Sequence, residues 1–250
     1  AGLIWAVIKP VTAFLRHLAY CFGSPNALSV GSIWHNALGL GHGLTYGGIP
    51  APDWERLNSI LFWGVNPANS MLRTFERIRE AGKHGAAMVA VDPAVTRTTK
   101  LADLHLRITP GTDGLLALAF IKHFSENHGL IPATETSTGW DELSQSLSMT
   151  TLPELLLPTG IDEKLFRQAA DMLRANSPTW IQTGVGLELL PGGVQSIRAV
   201  ACLQALLDPL ARPSRRWGKL KPLPGRDTYP TRPAPVGGDE FPLFLAQKGE

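Results

Sequence analysis

The chain has 250 residues, of which 44% are hydrophobic and 18% are charged, and its formal net charge is +2. This composition is typical of a globular protein with one large core or two smaller ones, and the lack of a basic block argues against a nucleic-acid partner. The two cysteines, Cys21 and Cys202, make no metal-finger spacing, and buried free thiols are the simplest interpretation.

The first fifty residues give weak structural signals. The apolar run at 1–10 is interrupted by Lys9 and Pro10, so it is too short for a membrane span and is a poor signal peptide. Apolar spacing predicts a helix over 11–20, and small residues predict a loop-rich stretch over 23–50 with one short helix. We expect both ends to be cuts in a longer protein, so the sequence does not indicate a cellular compartment.

Strands and helices alternate from residue 59 onward. Apolar runs predict buried strands at 59–65, 86–92, 101–108 and 178–186. Periodic apolar positions predict helices at 70–85, 112–129, 162–176 and 194–207. The stretches predicted to be irregular are 131–158 and 208–238. A strand, a helix and a strand in succession predict a right-handed βαβ unit, and hence an α/β fold with a Rossmann-like parallel sheet and flanking helices.

Small and polar residues follow each predicted strand. In an open parallel sheet, ligands bind at the carboxyl ends of the strands. An aspartate there can accept hydrogen bonds from a ribose or a base, and a helix start offers free backbone N–H groups to a phosphate. The candidates are Gly64, Asn66 and Pro67; Asp92, Pro93 and Thr98; Gly111, Thr112 and Asp113; and Gly184 and Gly186.

Each of these motifs also has a simpler structural explanation. Asp92-Pro93 and Asn66-Pro67 are frequent in turns, and Gly111-Thr112-Asp113 is a common helix cap. Their order on successive strand ends favours a nucleotide site, although the chain lacks the GxGxxG fingerprint of many dinucleotide-binding proteins.

Three stretches of the chain together resemble one protein family. LFWGVNPANS, VAVDPAVTRTTKLADLHLRITPGTDGLLALAF and GVGLELLPGGVQSIRAVACLQALL are similar to the molybdopterin guanine dinucleotide oxidoreductases of the dimethyl sulfoxide reductase family. That family includes formate dehydrogenases, nitrate reductases, thiosulfate and polysulfide reductases, and acetylene hydratase. The resemblance covers most of 20–210 and implies a central fragment of a longer catalytic subunit, with an iron–sulfur cluster expected only in a part that precedes this chain.

The resemblance implies a role for each candidate. Residues 64–67 match the family's Gly-x-Asn-Pro motif, which lies against one pterin guanine dinucleotide. Asp92-Pro93 matches the Asp-Pro motif that holds the guanosine, and Thr98 lies in the loop that follows. Residues 111–113 match the Gly-Thr-Asp motif at the guanine end, and 184–186 match a Gly-x-Gly loop near the pterin and the substrate funnel.

The stretch FGSPNALSVGSIWHN, at 22–36, resembles the segment that carries the metal ligand in the family. There, FGSPN precedes a cysteine, selenocysteine or serine ligand, often with a histidine next. Counting along the chain puts Trp34 at the ligand position and His35 beside it, and tryptophan cannot be a ligand because its indole N–H is only a donor. Either the molybdenum or tungsten has no protein ligand, or Ser32 takes the position, or the metal is lost; His35 could also be an ordinary loop residue.

The resemblance also implies a division of the chain. We expect 1–27 to end a neighbouring α/β domain, 28–186 to form a Rossmann-like dinucleotide-binding domain, and 187–250 to return to the neighbouring domain through a connector rich in proline and glycine. The expected partners are the remaining domains of the same polypeptide and an electron-transfer subunit.

Two functions follow from these expectations. The first is a part of a molybdenum- or tungsten-bis(molybdopterin guanine dinucleotide) oxidoreductase that binds the guanine dinucleotide part of the cofactor and is inactive by itself. The alternative is a non-catalytic scaffold in an electron-transfer complex that has lost its metal site. Trp34 favours the alternative, as do Leu189 and Leu190, which stand where the family usually has polar residues.

Overall fold

The computed structural model describes residues 35–128 and 138–208, and those from 37 onward belong to one compact unit. Outside the described residues lie the helix predicted over 11–20, the candidates Ser32 and Trp34, and all of the irregular segment predicted over 208–238 except Asp208. So does Cys21, whereas Cys202 is a half-buried free thiol. No helix in the two described ranges is long and apolar enough to cross a membrane.

A parallel sheet of four strands forms the centre of this unit. The strands are β1 (Ser59–Trp63), β2 (Ala87–Val91), β3 (Leu104–Leu106) and β4 (Thr179–Thr183), in the spatial order β3-β2-β1-β4. Strand β1 pairs with β2 on one side and β4 on the other, so Ser59 lies beside both Ala87 and Thr179. All five β1 residues are buried, which is typical of a parallel strand covered on both faces. The predicted α/β class with a parallel sheet is confirmed.

Helices connect and cover the strands. In the part of the chain that the structure describes, they are α1 (His35–Tyr46), α2 (Pro67–Ser70), α3 (Leu72–Lys83), α4 (Asp113–His128), α5 (Trp140–Ser148), α6 (Leu152–Leu156), α7 (Glu163–Ala175) and α8 (Gly193–Leu207). Short 3-10 turns occur at Thr99–Leu101, Leu157–Thr159 and Val185–Leu187. Helices α3, α4, α7 and α8 coincide with predicted helices because their apolar positions follow the helical period.

The two faces of the sheet bury separate cores. Side chains alternate along a strand, so Leu61 and Ile60 point to opposite faces. The Leu61 face packs against α4, α7 and α8, where the rings of Phe120 and Phe166 lie 4.6 Å apart between centroids. The Ile60 face packs against α3 through Ile78. Each such side chain contributes roughly 1.5–3 kcal/mol when fully buried, so the helices hold the sheet from both sides.

Helix α1 is longer than the loop-rich prediction for 23–50 suggests. Its glycines lower the helix propensity, which explains the weak sequence signal. A close contact with α8 compensates, because a Cβ atom at Gly41 would lie only 2.4 Å from Cγ2 of Ile197. The backbone of α1 can therefore approach α8 only where a side chain is missing.

The irregular structure predicted over 131–158 is wrong for the described part of that stretch, which contains α5 and α6. Helix α6 begins with a capping box, in which the Thr151 side chain accepts from the Glu154 N–H and the Glu154 side chain accepts from the Thr151 N–H. This Thr-x-x-Glu pattern is a sequence signal for a helix start. The helix then buries Leu155 and Leu156.

A buried side chain satisfies the outer edge of β4. The amide oxygen of Gln204, in α8, accepts from the backbone N–H of Ile181 at 2.7 Å. Its amide nitrogen donates to the carbonyl oxygen of Thr179 at 2.8 Å. Gln204 thus takes the place of a further strand, which protects an edge that would otherwise present unpaired backbone groups.

Candidate functional site

The carboxyl ends of the strands bring the predicted segments to one edge of the sheet. Strands β1, β2 and β3 follow one another in one direction, whereas β4 returns to the other side of β1. The strand order therefore reverses between β1 and β4, and ligands of open α/β sheets bind at such a switch point. The loops after β1 and β4 meet there, with the loop after β2 and the start of α4 beside them.

Glycines allow these two loops to touch. The N–H of Gly64 donates to the Val91 carbonyl at 2.9 Å, and the N–H of Gly184 donates to the Trp63 carbonyl at 3.0 Å. Gly64 has a φ of +57°, which favours glycine. A Cβ atom would lie 2.4 Å from the Gly64 carbonyl oxygen if added at Gly184, and 3.2 Å from it if added at Gly186. These glycines thus have a packing role that does not depend on a ligand.

Asn66 and Thr98 connect the loop after β1 to the loop after β2. The Thr98 hydroxyl donates to Oδ1 of Asn66 at 2.7 Å and accepts from the Ala68 N–H at 3.3 Å. Pro67 is the first residue of α2, where a missing N–H costs nothing. Thr98 is fully buried, so it can position Asn66 but not touch a ligand. The Nδ2 group of Asn66 has no partner among the described residues.

Asp92 is half-buried directly after β2. Its Oδ1 atom accepts from the Ala94 N–H at 2.8 Å, which is the turn that the sequence also allows. Its carbonyl oxygen lies 2.8 Å from Nε2 of His105, and because a carbonyl only accepts, that nitrogen carries a proton. Within the described ranges no donor contacts Oδ2. One carboxylate oxygen of Asp92 therefore stabilises the turn, and the other is available to a ligand. Pro93 is exposed beside it.

Asp113 is enclosed at the start of α4. It is 6% exposed, and its Oδ1 atom accepts from the indole N–H of Trp63 at 2.8 Å. Burial raises the pKa of Asp113, whereas the hydrogen bonds from Trp63 and from backbone N–H groups lower it and the charge of Asp92 raises it. The helix-start explanation of this motif therefore describes Asp113 well, and its carboxylate is poorly accessible to a ligand.

The turn before Asp113 is more open. Gly111 is exposed with a φ of +90°, and a Cβ atom there would meet no described atom within 4 Å. The Thr112 hydroxyl donates to the Thr109 carbonyl at 2.7 Å. The backbone of this turn lies next to the N-terminus of α4, whose free N–H groups suit an anion.

The sequence analysis missed two side chains of this region. Trp63 gives no sequence signal beyond the end of a buried strand, yet it holds Asp113. Glu188, which follows the turn Val185–Leu187, is 7% exposed and its Oε2 atom has no partner in the described part of the chain. Burial raises the pKa of Glu188 from 4.5 to about 7, while a hydrogen bond from the Leu38 N–H lowers it. A lone glutamate beside leucines gives no signal of such an environment.

The segment expected to carry the metal is described only at its end. His35 is the first residue of α1, so it is helical and not a loop residue. Ser32 and Trp34 lie outside the described residues, and the metal-ligand assignment therefore stays a prediction.

Cavity volume does not identify this edge. A groove of about 580 Å³ lies at the opposite, amino-terminal edge of the sheet and is lined by residues including Trp54, Asn58 and Arg77. A second cavity of about 240 Å³ lies beside His42 and Gln204. Neither includes Asp92 or Asp113, so the case for a site rests on polar groups and topology.

The fold and this edge define an α/β protein of the doubly wound type with polar strand ends at its switch point. The family model described as "Molybdopterin oxidoreductase" matches residues 8–249. The chain belongs to the molybdopterin oxidoreductase family, which confirms the resemblance drawn from its motifs.

Individual relatives agree with this assignment. The chain is 30% identical over 162 residues to the probable oxidoreductase YoaE of Bacillus subtilis, covering 64% of this chain and 24% of that protein. It is 26% identical over 190 residues to the assimilatory nitrate reductase catalytic subunit of the same organism, covering 74% and 26%. The solved structure of acetylene hydratase from Pelobacter acetylenicus has a TM-score of 0.66 and 27% identity, covering 78% of this chain and 27% of that one. The chain thus spans about a quarter of the length of these relatives.

Proposed function

We propose that this chain is part of a molybdenum- or tungsten-bis(molybdopterin guanine dinucleotide) oxidoreductase and that it binds the guanine dinucleotide part of the cofactor at the carboxyl ends of its strands. The observation that carries the proposal is the Oδ2 atom of Asp92 at the switch-point edge, which accepts no hydrogen bond from the described residues. Family membership supports the cofactor class, and the strand-end geometry supports the position.

The residues present fit a nucleotide. Asp92 offers a carboxylate oxygen that can accept from a guanine edge or a ribose hydroxyl. Asn66 offers its amide group, and the turn at Gly111 and Thr112 offers backbone groups near the N-terminus of α4. Pro93, Gly184 and Gly186 complete the edge. Thr98 and Asp113 are buried and act as positioning residues, not as direct contacts.

When bound, the metal–pterin group would supply two-electron or oxygen-atom transfer, and the chain would supply binding and orientation. The proposal for the whole polypeptide also includes iron–sulfur chemistry, a substrate and an electron-transfer subunit. It assigns none of these to the residues of this edge.

The test is cofactor retention in the polypeptide that contains this chain. Asp92→Ala removes the acceptor, and charge-assisted hydrogen bonds of this kind are worth roughly 1.5–3 kcal/mol each. Pterin content per mole of protein should therefore fall by at least about tenfold, since about 1.4 kcal/mol is a factor of ten. Guanine nucleotide released by acid should fall in parallel, which distinguishes the dinucleotide from the simple pterin.

Two further variants separate the binding role from the turn. Asp92→Asn keeps an acceptor for the Ala94 N–H but places an NH₂ donor toward the ligand, so it should lose cofactor as well. Asp53→Ala removes an exposed carboxylate before β1, at the far edge of the sheet, and this variant should retain the cofactor. Equal pterin content in the parent and both Asp92 variants would refute the nucleotide site.

A non-catalytic scaffold is the second candidate function, because the resemblance puts Trp34 at the position of the family's metal ligand. Metal analysis after expression with both molybdate and tungstate decides between the two functions. If the protein is an enzyme, it should contain close to one equivalent of either metal. If it is a scaffold, it should contain only a trace.

A further inference from the structure

A second cluster of potential ligands lies at the other end of α4. It comprises His123 and His128 of α4 and Asp171 of α7, whose ligand atoms all lie within 4.8 Å of one another. His123 is ten residues beyond Asp113, or about 15 Å along the helix axis, so the cluster is separate from the strand-end edge.

The two imidazoles present nitrogen atoms that no described group satisfies. His123 is 5% exposed, and its Nδ1 atom accepts from the Asn127 amide at 3.2 Å, which leaves Nε2 buried without a partner. Nε2 of His128 is also buried without a hydrogen-bond partner among the described residues. Buried polar atoms are normally satisfied, so two orphaned nitrogens on rings whose centroids lie 5.2 Å apart require an explanation.

Asp171 does not satisfy them. Its Oδ1 atom lies 4.0 Å from Nε2 of His128, which is too long for a hydrogen bond. The side chain of Asp171 is 71% exposed, whereas that of His128 is 18% exposed, so the carboxylate can move toward the nitrogens. Arg167, on the same face of α7, donates two hydrogen bonds to Glu163. Burial lowers the pKa of His123, and the positive charge of Arg167 still lowers it further.

We propose that His123, His128 and Asp171 bind Zn²⁺ or a similar divalent transition-metal ion, which links the C-terminal end of α4 to α7. Two imidazoles and a carboxylate are the ligand set of many zinc sites, with a water completing the tetrahedron. Metal–ligand bonds of about 2.0–2.1 Å place the ligand atoms of a tetrahedral site roughly 3.3 Å apart. The three side chains, whose ligand atoms now lie within 4.8 Å of one another, must therefore draw closer together when the metal binds. This site does not depend on the proposed molybdopterin function.

Asn127 completes a second coordination shell only after its amide turns, because its Nδ2 atom now faces Nδ1 of His123 and donates to the His123 carbonyl at 3.0 Å. Binding through Nε2 requires the His123 proton on Nδ1, and a turn of the Asn127 amide would present its oxygen to that proton. A metal-bound histidine almost always donates its other N–H in this way. The ring of His123 is further fixed by Phe166, whose ring centroid lies 5.6 Å away in an edge-on arrangement.

The test is calorimetric titration of the untagged protein, freed of loosely bound metal by dialysis against a chelator, with zinc chloride. One equivalent of Zn²⁺ should bind, and Asp171→Asn and His128→Ala should each weaken the affinity at least tenfold. Cobalt(II) should give visible absorption bands of a tetrahedral site in the parent and lose them in both variants.

Matched substitutions elsewhere provide the controls. Asp141→Asn neutralises an exposed aspartate on α5, and His84→Ala removes an exposed imidazole after α3; both should bind zinc as the parent does. No binding by the parent, or binding that survives either ligand substitution, would overturn the site. Asp171 is exposed, so Asp171→Asn alone decides if His128→Ala fails to fold.

Discussion

At the residue scale, Glu188 and His42 are two buried groups that respond to pH in opposite directions. Burial raises the pKa of Glu188 from 4.5 to about 7, so the folded state holds this proton more tightly than the unfolded state does. The stability of the folded state therefore falls as the pH rises from 4.5 to about 7. Burial lowers the pKa of His42 from 6.5 to about 4, so stability falls as pH drops through that window. Between pH 4.5 and 6.5 the two contributions oppose each other.

Glu188→Gln should uncover the contribution of His42. The free energy of unfolding of this variant should rise between pH 4.5 and 6.5. The difference between the variant and the parent should grow in favour of the variant by roughly 2–3 kcal/mol from pH 4.5 to pH 7. Chemical denaturation at several pH values measures the difference. Glu55→Gln, at an exposed position, is the control and should follow the parent. Parallel pH profiles for the parent and Glu188→Gln would contradict the assignment.

The hydrogen bond between Trp63 and Asp113 is a second residue-scale determinant. Trp63→Phe removes the only indole donor to this carboxylate in the described ranges, at a cost of roughly 1.5–3 kcal/mol before any cavity is counted. The pKa of Asp113 should also rise, because the lost bond lowers it. Denaturant unfolding and NMR titration of the carboxyl carbon measure the two effects.

Trp180→Phe is the matched control for that substitution. Trp180 is 6% exposed, and its indole donates over 3.3 Å to the neutral side chain of Gln182. Its replacement should cost less and should leave the pKa of Asp113 where it is. Equal losses for the two variants would show that the bond to Asp113 adds nothing beyond packing.

At the element scale, two glycines of α1 should respond differently to the same substitution. A Cβ atom at Gly41 would lie 2.4 Å from Ile197, whereas one at Gly43 would meet no described atom within 4 Å. Gly41→Ala should therefore destabilise the protein by about 1–3 kcal/mol through overpacking. Gly43→Ala should stabilise it by up to about 1 kcal/mol through helix propensity. Thermal unfolding compares them, and a shift of the same sign in both would exclude close packing of α1 on α8.

The same scale shows what local sequence could predict. The strands and helices α3, α4, α7 and α8 have apolar patterns that match their period, so they could be predicted. Helix α1 could not, since its glycines oppose a helix and it packs at Gly41 against Ile197, which is distant in the sequence. Helix α6 could have been found from Thr151 and Glu154, whose capping box is a local signal.

At the scale of the whole molecule, the parallel sheet could be predicted but its strand order could not. The position of β4 beside β1 depends on contacts between residues more than a hundred positions apart, such as Ser59 and Thr179. The strand-end motifs lie at one edge of the sheet, as predicted, but their accessibility did not follow from sequence. Asp92 keeps one oxygen without a donor among the described residues, whereas Asp113 is enclosed by Trp63. Only the fold brings His123 and His128 to Asp171.

The central position of β1 in the sheet determines the order in which the strands unfold locally. Its five buried residues have a hydrogen-bonded strand on each side, whereas β3 is three residues long and, among the described strands, pairs only with β2. Opening of β1 requires the loss of both neighbours, so its amides should exchange with deuterium only in the most extensive unfolding events. Mass-spectrometric exchange should find the peptide with β1 protected longest, β4 next because Gln204 covers its edge, and β3 first among the strands to take up deuterium.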